Sequence, residues 1–178
     1  MQDLATQEEM TMADAIDLKR TFTLTRLLDA PRELVFQAWT DPEHLQWFFS
    51  DVAPPREPIE LDLRVGGVWK QQMIVNESTE YFTGGVYREI VPGEKLVFVW
   101  GAFDGWPEIS PGRLDDGPVV TVTLNEVGDK TEMVFNLRLP DHLSEDRVRE
   151  WLASGMREGW GQTLDRLVAR FAGVGTRN

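Results

Sequence analysis

The stretch SEDRVREWLASGMREGWGQTLDRLVARFA, residues 144–172, decides the fold. Its apolar residues fall at Val148, Trp151, Leu152, Met156, Trp160, Leu164, Leu167, Val168 and Phe171. Those three- and four-residue steps predict one long helix with a single buried face. Gly155, Gly159 and Gly161 interrupt it. Each weakens a helix interior by about 1 kcal/mol relative to alanine. A helix that only filled a dense core would use alanine or leucine there. Wide aromatics, the flexible Met156 and glycine gaps instead point to a face that roofs an irregular space, as a binding cavity requires.

Upstream of that helix the hydrophobic period changes to two. Strands are predicted at about 58–65, 67–76, 79–91, 94–101, 118–126 and 130–139. Gly66-Gly67, Pro92-Gly93 and Gly128-Asp129 read as turns between them. Connections this short make an antiparallel meander, because parallel crossovers need a dozen residues or more. The exception is 102–117, a Gly-, Pro- and acid-rich loop carrying Trp106. Before the meander, Arg20–Asp29 reads as a first strand, with Phe22, Leu24 and Arg26 alternating against Thr21, Thr23 and Thr25. Pro31 opens a helix with Leu34, Val35, Ala38 and Trp39. Asp41-Pro42-Glu43 then caps and starts a second short helix with Leu45, Trp47 and Phe48. Residues 1–18 are acidic and poor in large apolar groups, which predicts a mobile leader. Residues 19–173 form the expected domain, and 174–178 a short tail.

Composition narrows the function classes. At 178 residues the chain suits one domain with a substantial core. Cysteine is absent, which removes disulfides, thiolate metal sites and cysteine nucleophiles; a reducing, cytoplasmic setting is expected. A net charge of -12 with no basic run argues against nucleic acid and against anionic membrane surfaces. No apolar run is long enough to span a bilayer, and residues 1–19 lack the basic start and apolar core of a secretory signal.

Several local motifs resemble one superfamily. Ala30-Pro31-Arg32-Glu33-Leu34-Val35-Phe36-Gln37-Ala38-Trp39-Thr40-Asp41-Pro42-Glu43 is similar to the opening strand-to-helix segment of START-like, or SRPBCC, proteins. Gly66-Gly67-Val68-Trp69 resembles their Gly-Gly-x-aromatic hairpin. The run from Gly85 through Tyr87, Glu89, Ile90 and Pro92 to Leu96 resembles their Gly-x-Tyr-x-Glu-Ile-x-Pro-x-x-x-Leu strand pair. Trp160, with Leu164 and Leu167 after it, is similar too. The branch most resembled is the C-terminal domain of the heat-shock protein 90 ATPase activator, over roughly residues 20–172. The resemblance implies an α+β helix-grip fold: a curved antiparallel sheet of about seven strands wrapped around a long C-terminal helix, with two short helices after the first strand. Full activators carry a further N-terminal chaperone-binding domain, which is not expected here. Fold alone does not settle function in such a superfamily.

Candidate site residues come from the strand faces. Alternation after Gly67 places Trp69, Gln71, Met73 and Val75 on one face and Val68, Lys70, Gln72 and Ile74 on the other. The first set has no charge and is expected inward. A buried Gln71 amide needs a partner, either a neighbouring side chain or a ligand. Trp47, Trp69, Gln71, Met73, Tyr87, Phe98, Trp100, Phe135, Trp151, Met156 and Trp160 are the expected lining, with Tyr81 and Met133 further candidates. Aromatic walls with few polar groups suit a small hydrophobic or aromatic molecule. Strand 79–91 stays open between Phe82/Val86/Ile90 and Tyr81/Tyr87/Glu89 as its inward set.

Other chemistry finds less footing. His44 and His142 have no ligand cluster beside them, so no metal or cofactor is expected. Asp41, His44 and Ser50 lack the spacing of a triad, and no nucleophile elbow is present. Gly66-Gly67 and Gly84-Gly85 read as turn and bulge glycines, not phosphate loops. Arg88, Glu89, Asn136 and Arg138 are the polar strand residues that would act in a cyclase-, aromatase- or hydrolase-like enzyme on a hydrophobic carbonyl compound. An exposed Arg88–Glu89 pair is the simpler alternative. A stress-related interaction module or homodimer, working through a strand edge, the 102–117 loop or Trp106, completes the set of readings.

Overall fold

A computed structural model describes residues 20–48, 56–103 and 117–172, with side chains for all of these except 46–48, 75–76 and 102–103. The leader, the C-terminal tail, Ser50, Trp106 and the Trp47 side chain therefore lie outside the described residues. Among the described residues the chain runs β1 (Thr21–Leu28), α1 (Arg32–Thr40), a 3₁₀ helix (Pro42–Phe48), β2 (Glu60–Leu61), β3 (Val68–Asn76), β4 (Thr79–Val91), β5 (Lys95–Phe103), β6 (Val119–Val127), β7 (Lys130–Arg138), α2 (Glu145–Leu152) and α3 (Met156–Ala172). The segment expected as a strand at 58–65 pairs only through Glu60 and Leu61.

The strands form one antiparallel sheet in the order β1-β7-β6-β5-β4-β3-β2. β1 and β2 occupy opposite edges, so α1 and the 3₁₀ helix lie in the connection that crosses the sheet. The meander then returns, and β7 closes against β1 from Thr21↔Arg138 to Leu28↔Thr131. Inward residues alternate as the period of two requires: Phe22 and Leu24 on β1, Val120, Val122 and Leu124 on β6, Met133, Phe135 and Leu137 on β7. They join Val35, Ala38 and Trp39 of α1 and Met156, Trp160, Leu164, Leu167 and Phe171 of α3 in one core. Val86 and Val99 form a separate small cluster with Val68 and Val119. That cluster marks the sheet's other face, which is not bare. Gln72 is buried there, because its Oε1 accepts from the backbone of Arg56 at 2.8 Å and Glu57 at 3.2 Å, folding that segment over it.

Pro31 precedes α1 as its cap residue rather than opening its first turn. Asp41 caps the 3₁₀ helix as expected, its Oδ1 accepting from Glu43 N at 3.0 Å.

Two irregularities correct the sequence reading. The first is in β4, where the register with β5 shifts between Tyr87 and Glu89. Arg88 is the extra residue, so the bulge is here and not at Gly84-Gly85. An extra residue changes the phase of the alternation. Tyr87 before it and Ile90 after it thus both face the core, while Val86 faces the outer cluster. The open choice for this strand is resolved by splitting it. Gly84 serves close approach instead: a Cβ there would collide with the Trp69 carbonyl on β3. Glu89 pairs with Lys95 at 3.1 Å.

The second is the closing helix, which is two helices rather than one. α2 is capped by Ser144, whose Oγ accepts from Arg147 N. It ends at Leu152, and α3 starts at Met156. Between them Gly155 sits at φ +89°, a region side chains rarely adopt. The Gly155 carbonyl then accepts from Gly159 N at 2.9 Å, opening the second helix. Gly159 differs: it is exposed, and a Cβ added there meets nothing within 4 Å. It neither leaves room beside the core nor permits close packing.

These two glycines should therefore respond oppositely to alanine. Gly159→Ala should raise stability by up to about 1 kcal/mol, and Gly155→Ala should lower it by about 1–2 kcal/mol. Urea unfolding of both variants checks this. A shift of the same sign in both would contradict a helix break at Gly155.

Candidate functional site

The candidate site is the layer between the sheet's inner face and α3. Trp160 is its centre. Its ring centroid lies 4.6 Å from Phe135 on β7 and 5.2 Å from Trp100 on β5. Phe98 connects the other side, meeting Trp69 at 5.6 Å and Tyr87 at 6.4 Å, both edge to face. Trp39 leans on Phe98 at 6.3 Å and Phe135 at 6.5 Å. Offset and edge-on arrangements of this kind are the favoured ones for aromatic quadrupoles.

Most of the expected lining residues come together. Trp69, Tyr87, Phe98, Phe135, Met156 and Trp160 are buried in the one core, and Met73, Trp100 and Trp151 pack against it half-buried. Gln71 is fully buried beside Trp69. Trp47 is the exception, its side chain lying outside the description. Two contributors were missed. Trp39 was assigned only to helix packing, yet it stands among the rings and donates from Nε1 to Met133 Sδ at 3.4 Å. Its spacing from Val35 was the available signal. Thr83 is buried on β4, where its hydroxyl accepts from Trp100 Nε1 at 3.0 Å and donates to the Gly101 carbonyl at 3.2 Å.

Polar groups in this layer are few and uncharged. Among the described residues the buried polar side chains are Thr40, Gln71, Thr83 and Thr131, together with Gln72 on the sheet's other face; no Asp, Glu, His, Lys or Arg is buried. Gln71 Oε1 accepts from Trp69 Nε1 at 3.0 Å, and its Nε2 meets Met73 Sδ at 3.8 Å. Among the described residues, Tyr87 Oη is buried with no hydrogen-bond partner. Burial pushes its ionisation well above the ordinary phenol value. Tyr81 is also raised by burial, an effect that Arg166 on α3 partly offsets.

The residues offered for acid–base chemistry face elsewhere. Arg88 and Glu89 are exposed. Arg138 holds Asp141 at 2.9 Å. Asn136 Nδ2 donates to Thr21 Oγ1 at 2.8 Å and Thr23 Oγ1 at 3.0 Å. His44 Nε2 lies 3.8 Å from Asp41, and its Nδ1 is 3.2 Å from Arg170 on α3, so the ring ties the 3₁₀ helix to α3. His142 lines a cleft of about 330 Å³ with Arg88, Val119, Arg138 and Pro140, beside the outer valine cluster. Among the described residues no group of three or more His, Cys, Asp or Glu is placed to hold a metal ion. Nor is any helix among them long and apolar enough to cross a membrane.

A curved antiparallel sheet closing over a C-terminal helix is the helix-grip architecture of the START-like, or SRPBCC, superfamily. Within it, the profile of the family described as "Activator of Hsp90 ATPase homolog 1-like protein" matches residues 29–172, and the chain belongs to that family. Solved structures agree. Protein CV1439 from Chromobacterium violaceum is 27% identical, with a TM-score of 0.61 over 85% of this chain and 97% of that one. Protein NE0264 from Nitrosomonas europaea is 22% identical, with a TM-score of 0.64 over 86% and 94%. Protein Ms6760 from Mycobacterium smegmatis is 20% identical, with a TM-score of 0.66 over 88% and 93%, and like the second shows a shared fold alone. No curated protein matches the chain.

An unpartnered buried hydroxyl costs about 1–3 kcal/mol, so Tyr87→Phe should stabilise the ligand-free protein at neutral pH by about 1 kcal/mol. Thermal or urea unfolding measures it, and a destabilised variant would show that the hydroxyl is satisfied. The alkaline limb gives a second check. The folded-state value of Tyr87 is raised above its unfolded one, so the stability it contributes is full below the ordinary phenol value near 10.0. That stability falls as pH climbs beyond this point. Unfolding free energy should therefore drop above about pH 10, with tyrosinate absorbance appearing as the fold is lost. The drop should be shallower in Tyr87→Phe.

Proposed function

We propose that this protein binds a small hydrophobic, ring-bearing molecule in the layer between its sheet and α3. The observation that carries the reading is Tyr87 Oη, a buried hydroxyl with no hydrogen-bond partner among the described residues, inside a wall of aromatic rings. Native proteins pair nearly all their buried polar groups, and an exception calls for a specific explanation. A bound molecule that accepts the hydroxyl's hydrogen bond supplies one. The surroundings support it: Trp69, Phe98, Trp100, Phe135 and Trp160 offer π faces and edges from three strands and one helix, with Met156 as a deformable neighbour. The absence of buried charge among the described residues fits an apolar occupant.

The cyclase- or hydrolase-like reading draws nothing from Arg88, Glu89, Asn136 or Arg138, all of which lie away from this layer. An interaction-module reading has no observation in its favour among the described residues.

N-phenylnaphthylamine, a neutral apolar fluorophore, tests the reading. The full chain should enhance and blue-shift its emission with saturable, one-to-one stoichiometry, and Trp160→Phe should weaken binding several-fold while retaining the fold by circular dichroism. A folded wild-type protein that gives no saturable signal would remove the proposal.

A further inference from the structure

The polarity of the layer identifies the chemical class of its occupant, given the ligand-binding reading above on which this step rests. Gln71 is the first determinant. Its Oε1 accepts from the Trp69 indole N–H at 3.0 Å, which orients the amide. The amide therefore turns its NH₂ group away from Trp69, towards the Met73 thioether at 3.8 Å. A thioether is a weak acceptor, and an NH₂ group carries two hydrogens. Gln71 thus has donor capacity to spare.

Tyr87 is the second. Its hydroxyl is buried, has no hydrogen-bond partner among the described residues, and is kept protonated by burial. Thr83 is already engaged, its hydroxyl accepting from Trp100 Nε1 and giving its proton to the Gly101 carbonyl. Gln71 Oε1 keeps a second lone pair, but the hydrogens left without a strong acceptor are those on Gln71 Nε2 and Tyr87 Oη. Whichever of the two a ligand's polar atom meets, an acceptor satisfies it.

Charge is the third. Among the described residues no carboxylate or cationic side chain is buried. Arg166 on α3 is half-buried and acts on Tyr81, but among the described residues no charged side chain is buried beside Tyr87 or Gln71, so a carboxylate or an amine there would have no buried counter-charge. Desolvating an unpaired ion costs far more than a single hydrogen bond returns. We infer that the occupant is a neutral, ring-bearing molecule whose polar atom is a hydrogen-bond acceptor of the carbonyl type, a ketone or an ester, held by Tyr87 or Gln71.

Isothermal titration calorimetry of the full chain tests this with three probes of one skeleton: methyl naphthyl ketone, isopropenylnaphthalene and naphthoate. The first two differ only in C=O against C=CH₂. The ketone should bind about tenfold tighter than the alkene, as one buried hydrogen bond allows, and tighter than naphthoate. The ketone-to-alkene ratio should fall towards one in Tyr87→Phe, in Gln71→Met, or in both, with folding of each variant checked by circular dichroism. Equal wild-type affinities for ketone and alkene would overturn the inference while leaving ligand binding intact, and so would tighter binding of naphthoate. A ketone preference unchanged in both variants would overturn the assignment to these donors. If none of the three probes binds, the ligand-binding reading itself fails.

Discussion

Trp160 couples α3 to the sheet. Its ring meets Phe135 on β7 and Trp100 on β5, so a single side chain on the helix bears on two strands. Removing a buried aromatic of this kind typically costs about 3–5 kcal/mol. The rest follows from having to bury that face. A meander alone leaves one side of its sheet apolar and wet. Here the uncovered side carries Trp69, Tyr87, Phe98 and Phe135, and α3 with α1 covers it. The β1–β7 pairing extends the sheet beneath α3, and Arg26 on β1 reaches Asp165 on α3 at 2.9 Å. That ion pair is largely exposed and contributes little on its own. Apolar contact holds the helix to the sheet, and the charge pair sets where the strand edge meets it.

The two breaks in regularity both act on this contact. The gap around Gly155 divides the closing segment, so α2 and α3 need not share an axis. Val148 on the first and Met156 on the second still reach the same core. The bulge at Arg88 acts on the sheet. Without the bulge, strict alternation from an inward Tyr87 through Arg88 would put Glu89 inward as well, and Ile90 outward. With it, Ile90 packs on the core and Glu89 finds Lys95 outside. A carboxylate is thereby kept out of the layer where its burial would be costly.

Much of this was legible in the residues because it depends on periodicity. Val120, Val122 and Leu124 alternate in sequence and alternate in the sheet. Trp160, Leu164, Leu167 and Phe171 fall on one helical face in both. What was illegible depends on partners far away in the chain. Pairing of Thr21 with Arg138 leaves no local trace. The break at Gly155 was hidden because the apolar spacing runs on across it, and propensity alone does not separate a weakened helix from an ended one. The bulge was visible only as an ambiguity, two inward sets competing on one strand. Gly84 misled because a glycine within a strand signals either a bulge or a close approach, and here it is the approach of Trp69. Among site residues, Trp39 escaped because a helix packed on a sheet and a helix lining a site use the same pattern.

The distribution of charge separates the protein's surface from its interior. The chain carries a net charge of -12, yet among the described residues its carboxylates lie outside the buried core. Several are spent on surface arginines and lysines, as Arg32 with Glu94, Arg56 with Glu80 and Arg147 with Glu150. Such pairs neutralise locally and leave the interior to rings, thioethers and a few neutral dipoles. Two of those dipoles are not fully used. Filling the layer with phenylalanine and leucine would give a more stable protein, since every polar atom there costs desolvation. Gln71 satisfies the Trp69 indole N–H, but the Tyr87 hydroxyl is hard to account for as packing. On the ligand-binding reading proposed above, an acceptor on the bound molecule would meet it.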